Sequence, residues 1–375
     1  MLIDLLIASL ALGVIVLLLP WRPWATTETL EADPGDAADL SDVTVLIPAR
    51  NEAGTIGETL HGLARQGPGL RIIVVDDQSD DGTAAAARGA GIEVLTVVAG
   101  ATLPPGWSGK LWALEQGRQQ VTTPLTLLLD ADIVLVPGMI AALRRQLLSR
   151  QLQLVSVMAH LGMIDFWERL LLPAFVYFFK MIYPFSLSNA GRGRIAAAAG
   201  GCILLKTATL ETIGGFAALR DALIDDCALA AKVKAAGGRT WIGLTHSALS
   251  RRRYPTLSDI WDMVARTAFT QLRYSTLLLL ACTALMAVIY LAPVAGAWMV
   301  PGPLRWLAVA AYLTVIIPYL RTLRFYRIPA AWALLLPLVA ALYLAMTWGS
   351  ALRYWRGERS RWKGRAYQRV ATGKP

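Results

Sequence analysis

Cysteine is scarce. The chain has three, Cys202, Cys227 and Cys282, an odd number without metal-ligand spacing. That excludes a disulfide framework and a cysteine-rich metal centre, and all three read as reduced core or membrane residues. Acidic residues are also short: 26 Asp and Glu face 36 Lys and Arg, a net charge of +10. Charge of either sign is nearly missing from Leu277–Val300, Leu304–Leu320 and Ala331–Leu352, where Arg305 is the exception. With 55% hydrophobic residues and a mean hydropathy of +0.49, an ordinary soluble enzyme is excluded. Those three stretches and Leu2–Leu19 approach or exceed the roughly 17–25 residues that cross a bilayer. No Ala-x-Ala cleavage site follows Leu2–Leu19, and Trp21-Arg22-Pro23-Trp24 has the make-up of an interfacial anchor. Residues 1–24 therefore read as an uncleaved transmembrane anchor.

The positive charge gathers beside the apolar stretches, at Arg251–Arg253, at Arg321, Arg324 and Arg327, and in the basic tail 353–375. Such clusters mark the cytoplasmic side and anionic lipid rather than nucleic acid. The expectation is a multi-pass protein of the cell inner membrane with its main domain cytoplasmic and residues 277–352 as the second membrane region. A full last span would export the basic tail, against the positive-inside trend. Pro337 permits a bent or re-entrant course instead, with a cytoplasmic tail.

After a linker, 25–42, strand-like runs alternate with helical ones. Val43–Pro48, Arg71–Val75 and Ile92–Val97 read as strands, with a helix from near Thr55 to Gln66 and an Ala-rich one after Thr83. Leu125–Val136 reads as one long buried strand that brings Asp130 and Asp132, two apart, to one face, where both could approach a divalent cation. Short-looped alternation predicts an α/β domain over 43–250 with a parallel, doubly wound sheet. Ligands of such sheets sit at the carboxyl ends of strands. Glu52, Asp76, Asp77, Asp130 and Asp132 all fall there, whereas Asp80 and Asp81 read as turn formers.

Ile47-Pro48-Ala49-Arg50-Asn51-Glu52, Val75-Asp76-Asp77-Gln78-Ser79-x-Asp81-Gly82-Thr83, Gly109-Lys110 with Ala113-Leu114, and Asp130-Ala131-Asp132 occur in that order. The set resembles the signature of family-2 inverting glycosyltransferases with the GT-A fold, a Rossmann-like nucleotide-diphospho-sugar transferase domain. The resemblance implies that Pro48, Arg50, Glu52, Asp76 and Asp77 hold the base and ribose of a nucleotide sugar. It implies that Asp132, with Asp130, faces a divalent metal, Mg or Mn. A flexible ammonium at Lys110 could reach phosphate.

Farther on, small residues Ala196–Gly201 precede a Gly214-Gly215-Phe216 turn and the acid pair Asp225-Asp226. Acids in a first helical turn compensate the dipole, but the order resembles the family's acceptor loop and base motif. Carried over, Asp226 is the general base and Asp225 its acidic neighbour, where the family usually has Glu. Pro255–Ser275 has helical spacing. Its family counterpart carries a Gln/Arg-x-x-Arg-Trp motif that this chain lacks, leaving Arg266 and Arg273 as diphosphate candidates. Phe166–Phe185, aromatic and interrupted by Glu168, Arg169, Pro173 and Lys180, reads as an interfacial helix with snorkelling cations.

Gly106–Leu114 and Arg266–Tyr274 resemble the hopanoid-biosynthesis-associated glycosyltransferase group, and ceramide glucosyltransferases more distantly. Arg361-Trp362-Lys363-Gly364-Arg365-x-Tyr367 also resembles a terminal motif of lipid-modifying relatives. The resemblance implies inverting, metal-dependent transfer of a hexosyl group from a UDP-sugar or other nucleoside-diphosphate sugar to a lipid hydroxyl. Two rivals stand beside it: a processive polysaccharide synthase, and a membrane-anchored nucleotide-binding scaffold without catalysis.

Overall fold

The computed structural model describes the chain apart from residues 37, 192, 221, 363–364 and 369–375, with side chains described as far as position 358. An apolar helix, α1 (Leu2–Leu18), comes first. There follow β1 (Val43–Ala49), α2 (Ile56–Ala64), β2 (Arg71–Asp76), α3 (Thr83–Gly89), β3 (Leu95–Ala99), α4 (Gly109–Arg118) and β4 (Leu125–Leu129). Then come β5 (Ile133–Leu135), α5 (Met139–Ser149), β6 (Leu154–His160), α6 (Phe166–Ile182), α7 (Phe185–Asn189), β7 (Cys202–Lys206) and α8 (Thr207–Thr212). The domain closes with α9 (Asp225–Ala235), β8 (Thr240–Ser250), α10 (Leu257–Ala265) and α11 (Ala268–Gln271).

The eight strands form one sheet in the order β3-β2-β1-β4-β7-β6-β8-β5. Strands β1 to β4 are parallel, whereas β7 runs antiparallel to β4 and β6, and β5 antiparallel to β8. The sheet is therefore mixed, not wholly parallel. Leu125–Val136 is two strands rather than one, because the chain turns at Asp130–Asp132, the Ile133 N–H donating to the Asp130 carbonyl, and β5 joins β8 at the edge of the sheet rather than β4. Side chains of β1 alternate between two cores: Val43, Val45 and Ile47 meet Leu60 and Leu63 of α2 and Leu143 of α5, while Leu46 meets Leu111 and Leu114 of α4. Helices thus cover both faces, as a near-continuous apolar strand requires. The third strand begins later than its sequence suggests, since Ile92 closes a turn onto Leu95.

Residues 25–42 are not a free linker. Thr29 bridges to Leu244, and Leu30 and Leu244 exchange backbone hydrogen bonds with Leu244 and Glu28. Strand β5 reaches only Ala248–Ser250 of β8, so the earlier part of that strand has open backbone groups that this segment satisfies. Helix α6 also departs from expectation. Its Glu168 is fully buried and paired with Arg253 at 3.0 Å, and its buried Lys180 donates to the Ala25 carbonyl. Neither charge snorkels outward. The segment 255–275 is broken between α10 and α11, and Arg273 and Tyr274 take left-handed φ values of 52° and 56°.

Beyond the domain lie α12 (Thr276–Met286), α13 (Ala292–Met299), α14 (Arg305–Phe325) and α15 (Leu336–Trp355), then the hairpin β9 (Glu358–Trp362) and β10 (Arg365–Gln368). Thr276–Met299, Gly302–Phe325 and Ala330–Trp355 are long and apolar enough to cross a membrane, and α1 is a shorter apolar helix. Helices α1, α13 and α14 pack through small residues: Leu6 lies against Gly296 and Ala308, and Thr314 sits where a side chain on Gly13 would be. Helix α15 is different because it touches the α/β domain and the helices that close it at several points. Tyr343 donates to the Leu171 carbonyl of α6 at 2.9 Å, Ser350 accepts from the Phe269 N–H of α11 at 3.1 Å, and Arg353 pairs with Asp262 of α10.

Candidate active site

Register places the site. Ala49 at the end of β1 pairs with Asp76 at the end of β2, so the loops leaving both strands lie side by side. They are stitched together: Arg50 donates to the carbonyls of Asp77 and Gln78 at 2.6 and 2.9 Å. Asn51 donates its N–H to Ser79 Oγ, and the Asp81 carboxylate accepts from Ala53 and Thr83. Asp81 is thus a loop brace. Glu52 accepts from the Thr55 hydroxyl at 3.1 Å. Asp77 is fully buried, and Asp76 Oδ1 is buried with no hydrogen-bond partner among the described residues.

Lys110 stands in the first turn of α4, which is capped by Ser108 Oγ accepting from the Leu111 N–H. Its Nζ lies 2.7 Å from Asp130 and 3.9 Å from Asp225. Burial alone would lower this ammonium, but Asp130, Asp225 and Asp226 hold it above the usual lysine range. Asp225 and Asp226 open α9. Asp226 Oδ2 accepts from the Gly200 N–H at 2.8 Å and Oδ1 from the Cys227 N–H at 2.7 Å. Burial and the adjacent Asp225 push its carboxyl up to about 6, against the two N–H donors and Lys110. Pro48, Lys110, Asp130, Gly200, Asp225 and Asp226 all line one narrow cavity of about 20 Å³. That is room for one water.

A second group sits beside this one. Asp132 is buried, its Oδ2 3.9 Å from Nε of Arg252. Burial works against the Arg252 charge, but Tyr254, Asp132, Glu52 and Asp130 raise it above the usual range. Sequence reasoning missed Arg252 and Tyr254 as site residues. Their signal was the run Arg251–Tyr254 just past a strand, which reads from sequence only as lipid-facing charge.

No group of three or more His, Cys, Asp or Glu side chains that could hold a metal is found among the described residues. Asp130 and Asp132 lie in a turn, so strand alternation does not put them on one face, and Asp130 is engaged by Lys110. The donor set nonetheless fits a hard cation: magnesium takes one or two carboxylates, with phosphate oxygens and water supplying the rest.

On the other side, Gly214 and Gly215 have φ values of 85° and 65°, a left-handed pair that residues with a Cβ rarely adopt. The turn is fixed by Glu115, which accepts from the Phe216 N–H at 2.8 Å and pairs with Arg118 at 2.6 Å. Phe216, not the glycines, reaches the cavity. Tyr183, at the end of α6, donates to Gln271 of α11 at 2.7 Å. Burial, Cys227 and Asp226 raise its phenol above the usual range despite that bond, so Tyr183 lies close to the acid pair. Arg266 is within electrostatic reach of Tyr254, whereas Arg273 is exposed at the left-handed turn. Lys363 and Gly364 of the terminal motif lie outside the described residues, as do the side chains of the rest of that motif.

Comparison with known proteins bears on the family and the fold. The chain is 40% identical over 91 residues to a 4,4'-diaponeurosporenoate glycosyltransferase of Staphylococcus aureus (strain MRSA252), a match covering 24% of each chain. It is 38% identical over the same length to the protein of that name from strain USA300. The match thus spans about a quarter of those relatives' length. Among solved structures, the mannosyltransferase PcManGT from Pyrobaculum calidifontis, in complex with GDP-Man and Mn2+, superimposes with a TM-score of 0.58 at 22% identity. That superposition covers 94% of this chain and 99% of the other. The sheet order and this likeness establish the GT-A fold. Residues 41–268 match the family described as glycosyltransferase like family 2, and the chain belongs to that family.

Proposed function

We propose that this chain is a membrane-bound inverting glycosyltransferase that moves a sugar from a nucleoside-diphosphate donor, with UDP as the first nucleotide to test, to a lipid hydroxyl. The observation that carries it is the convergence of Lys110, Asp130, Asp225 and Asp226 on one cavity. Asp226 takes the proton of the acceptor hydroxyl as its oxygen attacks the anomeric carbon. A single displacement of this kind inverts that centre and needs no second acid on the leaving group. The raised carboxyl suits the role, because a base titrating near the working pH accepts a proton more readily than an ordinary aspartate.

Arg252 and Lys110 take the diphosphate, Lys110 trading Asp130 for phosphate oxygens. Pro48, Arg50, Glu52, Asp76 and Asp77 form the base and ribose side, and Asp76 Oδ1 is an acceptor that a ligand donor would satisfy. Asp132 and Asp130 would hold the divalent ion, which would neutralise charge on the departing nucleoside diphosphate. Gly214 and Gly215 shape the acceptor loop, Tyr183 borders the acceptor, and of the two diphosphate candidates Arg266, within reach of Tyr254 beside Arg252, is the one to test first. Three helices long and apolar enough to cross a membrane in the same chain favour an amphiphilic acceptor, and a hopanoid alcohol is the first to try. Full-length protein would be incubated with labelled nucleotide sugars and a lipid extract, with and without Mn²⁺ or Mg²⁺. A labelled monoglycosylated lipid supports the reading, a polymer replaces it with a synthase, and donor binding without any product replaces it with a scaffold.

A further inference from the structure

Arg252 faces the carboxylates of the site, but its two neighbours do not. Arg251 pairs with Glu58 at 2.8 Å, and Arg253 with Asp165 at 2.6 Å and Glu168 at 3.0 Å. Both arginines line a separate cleft of about 830 Å³, together with Glu58, His160, Arg169 and Arg327. It shares no residue with the cavity around Asp226. Arg169 and Arg327 have no carboxylate partner among the described residues: Arg169 donates to the Met163 carbonyl, and Arg327 sits in the left-handed turn after α14 with a φ of 56°. Glu58 compensates Arg251, and Asp165 and Glu168 compensate Arg253, so the positive charge the cleft has to offer is that of Arg169 and Arg327.

Its position is as telling as its charge. Arg327, Ile328 and Pro329 join the end of α14 to the helical stretch 330–355, both apolar enough to lie in a bilayer. The same three residues line a second, largely apolar cavity of about 390 Å³, whose other walls are Leu320, Leu323, Ala330 and Arg324. The polar cleft and the apolar cavity therefore meet at one loop. Ile164 in the cleft wall is 60% exposed and Phe166 beside it 57%, and Phe166 lies 5.6 Å from the Trp332 ring. Aromatic and apolar side chains left open beside arginines mark headgroup depth.

We propose that this cleft binds the headgroup of an anionic phospholipid of the surrounding bilayer, its phosphate drawn to Arg169 and Arg327 and an acyl chain entering the apolar cavity along α14. The lipid is a resident of the membrane, not the glycosyl acceptor, and it would fix the height and tilt of the catalytic domain over the bilayer. The inference rests on the membrane-bound reading of the chain but not on its chemistry.

The test uses the full chain in detergent micelles, with retention of added lipid read by native mass spectrometry. Dioleoyl-phosphatidylglycerol should be retained and dioleoyl-phosphatidylcholine lost. The double variant Arg169→Gln/Arg327→Gln should weaken phosphatidylglycerol binding on the order of tenfold or more, while its lipid-free melting temperature stays that of the parent. Arg169→Lys/Arg327→Lys, which keeps the charge, should bind within a few-fold of the parent and holds the test open if the Gln pair is unstable. Equal retention of both lipids, displacement of phosphatidylglycerol by millimolar inorganic phosphate, or full binding by the Gln pair would each overturn the proposal. No sugar transfer is measured, so the outcome is independent of whether the enzyme reading holds.

Discussion

The backbone N–H of Gly200 donates to Oδ2 of Asp226 across 2.8 Å, tying a carboxylate in the first turn of α9 to the residues that lead into β7. The position has no room for more. A Cβ built on Gly200 would stand 3.3 Å from both Asp226 Oδ2 and Lys110 Nζ. Gly200→Ala should therefore displace both groups by a few tenths of an ångström while costing under ~1 kcal/mol of stability, because the backbone there is not left-handed. Turnover should drop by roughly tenfold. Parallel thermal melts and initial rates would check it, and a variant that melts early and turns over normally would contradict the positioning role.

Lys110 and Asp226 are coupled in charge, which gives a pH signature. The base must be ionised to act, and burial with Asp225 pushes Asp226 up to about 6. The acidic limb of kcat/KM should lie near that value, with activity falling as pH drops through it. Lys110 is among the groups that lower the Asp226 carboxyl, so Lys110→Met should move the limb to higher pH as well as weaken donor binding. A limb near pH 4 in the parent, or one that does not move in the variant, would detach the pH profile from this pair.

Glu168 is buried without exposure and accepts from Ile164, Asp165, Tyr254 and Arg253. Burial alone would raise its carboxyl, yet these donors hold it below the ordinary range. Its contribution to stability is therefore present above its unfolded value and lost as pH falls through the lower folded one. Glu168→Ala leaves three backbone donors unsatisfied, while Arg253 keeps Asp165, and should cost about 2–3 kcal/mol. Denaturant melts of parent and variant at neutral pH, repeated at acidic pH, should show the gap closing.

Helix α15 rests on the catalytic domain at its middle, through Tyr343 and Leu171, and near its C-terminal end, through Arg353 and Asp262, while Trp332, just before its first turn, lies 5.6 Å from the Phe166 ring of α6. We predict that this helix lies along the membrane face without crossing, so that its two ends share a side. In a chain with its native cysteines replaced, Arg356→Cys and Ala235→Cys should react with an impermeant maleimide from the same side of sealed vesicles. Labelling from opposite sides would make α15 a full span.

What the sequence disclosed follows from how local each signal is. The end of β2 announced itself, because Val-Asp-Asp stops an apolar run abruptly, and the cavity does gather Pro48, Lys110, Asp130, Asp225 and Asp226. Partners distant in the chain were illegible. The pairing of Glu168 with Arg253 turns an apparent interfacial charge into a buried one, and no periodicity within α6 could show it. The same holds for Lys180 and the Ala25 carbonyl, for Arg252 beside Asp132, and for Tyr183 beside Gln271. The turn at Asp130–Asp132 was hidden by apolar residues on both sides, which read equally well as one strand. The docking of residues 25–42 on β8 depends on where β5 stops, a property of sheet order alone.

The account turns on Asp226 as the group that takes the acceptor proton. Its most direct test compares Asp226→Asn with the parent in two measurements on the same preparation: donor affinity by calorimetry and single-turnover transfer to lipid. We predict unchanged donor affinity with transfer slowed by ~10²-fold or more. Weakened donor binding with the transfer step intact would make Asp226 a binding residue and contradict the mechanism.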